Sequence, residues 1–143
     1  MIRAFLDTNI LLDVLVPERK SAASSVMILE QVKKGQMEAF VTTQSITDMY
    51  YIASQFDVKK EETDRLTQWM ISYLNIRAVY ESDIRMALKM DDPDFEDNAL
   101  ISSAKFEQCD VFVTNDKKIL SRSDLGQLKA MKPERFVELM SLQ

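Results

Sequence analysis

Four aspartates stand where apolar runs give way to polar residues: Asp7 in FLDTN, Asp48 in SITD, Asp97 in DFED and Asp116 in VTND. Carboxylates at such junctions can meet at one edge of a sheet even when they are far apart along the chain. Packed together they repel and raise one another's pKa, so a fold that gathers them calls for a counter-charge. An all-oxygen set of this kind suits a hard divalent cation, Mg²⁺ or Mn²⁺.

Missing residue types narrow the chemistry further. The chain has no histidine, which removes Ser-His-Asp and Cys-His nucleophilic catalysis, imidazole acid–base work and histidine-ligated metals. Cys109 is the one cysteine. It permits no internal disulfide and no thiolate zinc cluster, points to a reducing compartment, and reads as a small buried hydrophobe. Two glycines, Gly35 and Gly126, are too few for a Walker P-loop or a G-x-G-x-x-G dinucleotide loop. The 143 residues, 46% hydrophobic and 29% charged, fit one globular domain over 1–143. No stretch approaches the length of a membrane span and the N-terminus lacks a signal-peptide pattern, so the expected setting is soluble and cytoplasmic, without a membrane. A net charge of −5 decides nothing about nucleic acid, because acids gathered around cations would account for part of it.

The elements that must position the four acids follow from periodicity. Arg3 to Leu6 read as a buried strand ending at Asp7. Ile10, Leu11, Val14 and Leu15 then recur at helical spacing until Pro17. Ser21 is expected to cap a second helix with Val26, Leu29 and Val32 inward, stopping near Gly35, before a strand from Ala39 to Thr42. Ser45 is expected to open a helix carrying Ile46, Met49, Tyr50 and Ala53. A further helix over Lys59–Leu74 turns Leu66, Trp69, Met70 and Tyr73 inward, and the two should pair as a hairpin. A strand from Ile76 to Val79, a helix capped by Ser82, a helix from about Phe95 to Gln108 and a strand from Asp110 to Thr114 follow. The tail holds a short strand at Lys129–Met131 and a helix after Pro133. This rhythm predicts an α/β fold: a mainly parallel central sheet of about four to five strands, with helices on both faces. Open sheets of this kind bind ligands beyond their carboxyl ends, where Asp7 and Asp116 lie. Asp94, Asp97, Ile101 and Ala104 share one helical stripe, acids first and apolar residues against the sheet.

Each acid also has a simpler reading. Asp7 can cap the helix after it, and Ser45-x-x-Asp48 is a capping-box pattern. Asp97 can be a carboxylate favoured by a helix dipole, and Asp116 can cap a short helix over Lys117–Leu120. One at a time these signals are weak, but four together in a histidine-free, glycine-poor α/β chain are hard to explain as unrelated caps. Lys59, Lys60, Lys117, Lys118 and Arg122 are candidates for phosphate contacts at the rim, against the commoner role of solvated surface charges. Tyr50, Tyr51, Phe56, Trp69 and Tyr73 sit mostly at core spacing, with stacking on bases as the lesser reading.

The opening FLDTNILLDVL, the helix start DFEDNALISSA and the strand end VFVTND resemble the PIN-domain family, in the style of the VapC-like toxin ribonucleases of type II toxin–antitoxin systems. The resemblance covers nearly the whole chain. It implies that Asp7, Asp97 and Asp116 are metal-binding, catalytic acids and that Asp48 takes a place where many members carry Glu. Thr8, Asn9 and Thr114 would orient the carboxylates by hydrogen bonds, with Asp94 and Glu96 as outer acids. It further implies an Mg²⁺- or Mn²⁺-dependent endoribonuclease in which the cation polarises a phosphodiester and acidifies an attacking water. An RNA substrate, an antitoxin partner and a homodimer complete the expectation. Two alternatives remain open: a PIN-like module that binds RNA or protein without cutting, and a phosphotransfer domain with an acceptor Asp. A haloacid-dehalogenase-like phosphatase needs D-x-D where this chain reads Asp7-Thr8-Asn9.

Overall fold

Alternation along β1 (Ile2–Leu6) sets the layering. Ala4 pairs in register with Ala39 and Val111 to form one row across the sheet, while Phe5 pairs with Phe40 and Phe112 to form the next. Successive strand residues face opposite sides. The first row therefore joins the core cluster that includes Ile10, Ile28, Met49, Met70 and Phe136, and the second joins the cluster of Ile101, Ala104, Ile119, Leu125 and Leu128. Phe5 and Phe112 stack with ring centroids 5.2 Å apart.

The computed structural model describes residues 1–141. After β1 come α1 (Thr8–Leu15), α2 (Ala22–Lys33), β2 (Met37–Thr42), α3 (Thr43–Ser54), α4 (Lys60–Tyr73) and β3 (Asn75–Arg77). The chain continues through α5 (Glu81–Lys89), α6 (Phe95–Phe106), β4 (Val111–Val113), α7 (Lys117–Leu120), β5 (Lys129–Met131) and α8 (Pro133–Ser141). The strands form a five-stranded sheet ordered β3-β2-β1-β4-β5, and every pairing is parallel. This is the α/β architecture expected from the element rhythm. The order steps outward from β1 through β2 to β3 and then restarts on the other side with β4, so a crevice opens between the carboxyl ends of β1 and β4.

Several local expectations fail for reasons that the side chains make plain. Ser21 precedes α2 but makes no capping bond, because its hydroxyl is drawn to Asn115 and Glu134. Val26 faces outward, and Ile28 joins Leu29 and Val32 in the core instead. Thr42, not Ser45, caps α3, its hydroxyl accepting from the Ser45 amide at 3.0 Å. Ser82 is likewise displaced, since α5 begins at Glu81 and Asp83 reaches back to the Tyr80 amide at 2.9 Å. The third strand is shorter than expected and earlier in the chain, and Tyr73 is exposed. At the end of α2, Gly35 takes a left-handed φ of 74°, as helix ends often require. Cys109 is buried, and desolvation pushes its thiol up to about 12, so it behaves as the small hydrophobe expected. No helix among the described residues is long and apolar enough to cross a membrane.

Candidate active site

The crevice between β1 and β4 is where the sequence delivers its acids. Asp7 follows β1 directly, and its amide bonds to the carbonyl of Val113 at 3.1 Å, tying the two strand ends together. Its carboxylate Oδ1 accepts from the Thr8 amide at 2.8 Å, and Oδ2 accepts from Thr114 Oγ1 at 2.7 Å and Asn9 Nδ2 at 3.1 Å. Thr8 thus bonds the carboxylate through its backbone, whereas Asn9 and Thr114 bond it through their side chains. Asp116 caps α7, accepting from the Lys118 amide at 2.9 Å, and its own amide bonds to Thr114 Oγ1 at 2.9 Å. The capping role foreseen for Asp7 and Asp116 is therefore real, and both side chains still line the crevice.

Asp97 arrives from the far side, in the first turn of α6. Asp94 caps that helix and accepts from the Asp97 amide at 3.1 Å, which fixes where Asp97 stands. Asp48, on α3, accepts from Gln44 Nε2 at 3.0 Å rather than closing a capping box with Ser45. Asp7, Asp48, Asp97 and Asp116 all line one cleft of about 790 Å³, together with Glu96. A second cavity of about 560 Å³, bounded by Val14, Phe56 and Arg65, contains none of these four.

Electrostatics set this cleft apart. Burial raises the pKa of Asp7 and the charge of Asp116 adds to it, while bonds from Thr114, Thr8 and Asn9 oppose the shift without cancelling it. Asp97 is pushed up to about 7 by desolvation first, then by the charges of Asp94, Asp116 and Asp7. Acids under this pressure are what a divalent cation would relieve, and the donors are all hard oxygens, so the residues fit Mg²⁺ or Mn²⁺. Among the described residues, no three Asp, Glu or Cys side chains converge tightly enough to make a ready-built cation cage. The acids share a cleft, with Asp7, Asp48 and Asp116 each turned toward a local donor.

A profile of the PIN domain matches residues 3–118. The chain belongs to the PIN-domain family. Among curated proteins it is similar to Ribonuclease VapC1 of Aquifex aeolicus (strain VF5), 23% identical over 141 residues that cover 95% of this chain and 94% of that protein. Among solved structures it is similar to Mycobacterium tuberculosis VapC20, described as a sarcin-ricin loop cleaving toxin. That match has a TM-score of 0.66 and 7% identity, covering 80% of this chain and 90% of the other. It is also similar to VapBC2 from Rickettsia felis, solved with a DNA fragment from the promoter, at a TM-score of 0.63 and 16% identity over 92% of this chain and 98% of that one. At such identities these structures establish a shared PIN fold.

The basic residues divide. Lys117 and Lys118 are exposed beside Asp116, while Lys60 is paired with Asp64 at 2.8 Å. Arg122, expected at the rim, is instead buried, its side chain 4% exposed. It bonds Asp124 at 2.7 and 2.9 Å and stands 3.8 Å from Asp92, a positive charge beneath the acidic loop rather than a surface contact for phosphate. Sequence reasoning missed the apolar side of the cleft, formed by Tyr51, Ile52, Val79, Ile84, Phe95 and Leu100. Tyr51, grouped with aromatics that sit mostly at core spacing, is 69% exposed. Sequence reasoning also missed Asp13, buried on α1, although its place four residues after Asn9 puts both on one helix face.

Proposed function

We propose that the chain is an endoribonuclease that hydrolyses RNA phosphodiester bonds with a divalent cation, Mg²⁺ or Mn²⁺, and that it is the toxin of a toxin–antitoxin pair. The observation that carries this reading is the sharing of one cleft by Asp7, Asp97 and Asp116, with the pKa of Asp7 raised by burial and the charge of Asp116, and that of Asp97 raised by burial and the charges of Asp94, Asp116 and Asp7. The similarity to Ribonuclease VapC1 supports the same reading. A cation held by Asp7, Asp97 and Asp116, with Asp48 at the edge, would supply Lewis acidity to a phosphoryl oxygen and to an attacking water.

The chain's own groups do the rest. Thr114 and Asn9 hold the Asp7 carboxylate in one orientation, and Asp94 fixes the start of α6 and with it Asp97. Lys117 and Lys118 lie where an RNA backbone reaching Asp116 would pass, so they contact phosphate without reading sequence. The apolar side of the cleft gives unstacked bases a surface, which favours single-stranded or looped RNA. The reading includes a homodimer, an antitoxin that covers the cleft, and a cytoplasmic setting.

The test is cleavage of labelled RNA with Mg²⁺, with Mn²⁺ and with EDTA. Asp7→Asn and Asp97→Asn are expected to cut at least about 100-fold more slowly, exceeding the loss typical of residues that only orient a ligand. Equal cleavage by the variants, or undiminished cleavage in EDTA, ends the proposal and leaves a PIN-like module that binds without cutting.

A further inference from the structure

Behind the cleft lies a second carboxylate that the cation reading does not use. Asp13 is 1% exposed, yet it is satisfied by three donors from three segments. Arg19 Nε bonds Oδ1 at 2.8 Å, Ser25 Oγ bonds Oδ2 at 2.7 Å, and Asn115 Nδ2 bonds Oδ2 at 2.9 Å. Hiding a carboxylate costs several kcal/mol before its partners repay it, so packing alone would favour an apolar residue here. Arg19 and Ser25 tie α1 to the segment after it and to α2. The Asn115 limb runs the other way, toward the acids.

Asn115 is gripped from every side. Its amide donates to Asn9 Oδ1 at 3.1 Å, its Nδ2 to Asp13, and its Oδ1 accepts from Ser21 Oγ at 3.0 Å. Asn9 and Asp13 are one helical turn apart on α1, so the same helix face holds Asn115 at its backbone and at its side chain. The next residue is Asp116. Asn9 also donates to Asp7, so one amide side chain registers the two acids against each other.

We propose that Asn9 and Asp13 form a two-point clamp on Asn115 that presents Asp116 to the divalent cation, making Asp13 and Asn115 positioning residues for metal binding. The clamp rests on the cation reading given above. Asn115→Ala keeps the amide bond to Asn9 and removes both side-chain contacts. Asp116 then keeps its bonds to Thr114 and Lys118 but loses the side-chain anchor of the residue before it.

The experiment is calorimetric titration with Mn²⁺ alone, without RNA, alongside thermal melting in EDTA. Asn115→Ala is expected to weaken Mn²⁺ binding by about 10- to 100-fold, the range seen when outer partners of metal ligands are removed. The loss should nearly vanish when Asp116→Asn is already present and persist on an Asp97→Asn background, since Asn115 directly precedes Asp116 and has no bond to Asp97. Asp13→Asn, which keeps an oxygen for the Asn115 amide, should bind far closer to wild type than Asp13→Ala. If Asn115→Ala does not fold, Asn115→Ser is read in the same way. A wild type that binds Mn²⁺ with an affinity Asn115→Ala merely matches, whatever its melting temperature, overturns the clamp and leaves the cation reading standing. A wild type that binds no Mn²⁺ overturns both.

Discussion

Asp83 and Asp7 are both buried, at 0% and 7% exposure, yet their pKa values move in opposite directions. Burial works to raise each. At Asp83 that push is outweighed by Arg77, whose Nη1 and Nη2 reach the two carboxylate oxygens at 2.7 and 3.2 Å, with the Tyr80 amide and Ser102 adding to the set. Arg77 in turn bonds Glu107 at 2.8 Å and lies over the rings of Tyr80 and Phe106. At Asp7 the donors are a threonine, an asparagine and an amide, none of them cationic, and the nearby charge of Asp116 repels. The difference separates a carboxylate neutralised within the fold from one left under repulsion. An acid that finds its counter-charge within the chain is structural, and one left under repulsion is available to a ligand.

The most forceful way to break this contrast is Arg77→Ala. It strands Asp83 without its cation and should cost about 3–5 kcal/mol in denaturant unfolding, with no direct effect on Mn²⁺ affinity. A loss below about 1 kcal/mol would put Asp83 in the same class as Asp7. Next in size is Thr114→Val, which keeps the shape of a fully buried residue but removes the hydroxyl shared by Asp7 and the Asp116 amide. It should cost about 1–3 kcal/mol of stability. Mn²⁺ affinity should also fall by about 10-fold or more. A stability change with normal metal titration would make Thr114 a fold residue alone.

pH sharpens the contrast further. Asp97 sits at about 7 in the fold against an ordinary 3.8, so its contribution is fully present below the ordinary value and is lost as pH rises through 7. Asp83 runs the other way, stabilising above 3.8 and failing as pH falls through its lowered value. In EDTA the wild type should therefore melt lower at pH 8 than at pH 5.5, and Asp97→Asn should flatten that slope. Mn²⁺ should raise the melting temperature more at pH 8, where no proton competes for the carboxylate. A slope that survives Asp97→Asn would move the titration elsewhere. The smallest effect belongs to Lys117→Gln with Lys118→Gln, which should weaken RNA binding by a few-fold and make its salt dependence shallower, with Mn²⁺ binding unchanged. An unaltered salt dependence would return both lysines to the solvated surface.

Much of this was legible because strand ends announce themselves. FLDTN and VFVTND pass from apolar strand to acid, and the parallel sheet then brings Asp7 and Asp116 to one crevice. Asp94 and Asp97 were legible from helical spacing. What stayed hidden depends on partners distant in sequence. Arg122 has the composition of a surface cation but is captured by Asp124 and Asp92, and Asp13 looks like the polar side of an amphipathic helix until Asn115 folds over it. The caps at Ser21, Ser45 and Ser82 failed because local preference is worth about 1 kcal/mol, and a neighbouring residue or a tertiary bond can outbid it. Tyr51 was misread because a helix that lines a cleft keeps its apolar pattern on the cleft side too.

The bond from Thr114 to Asp7 closes a loop of 107 residues. Closing a loop of that length costs chain entropy before the contact can compensate for it. On the cation reading, a chain still lacking β4 has neither the crevice nor Asp116, so the set of acids is complete only once the fourth strand has docked beside the first.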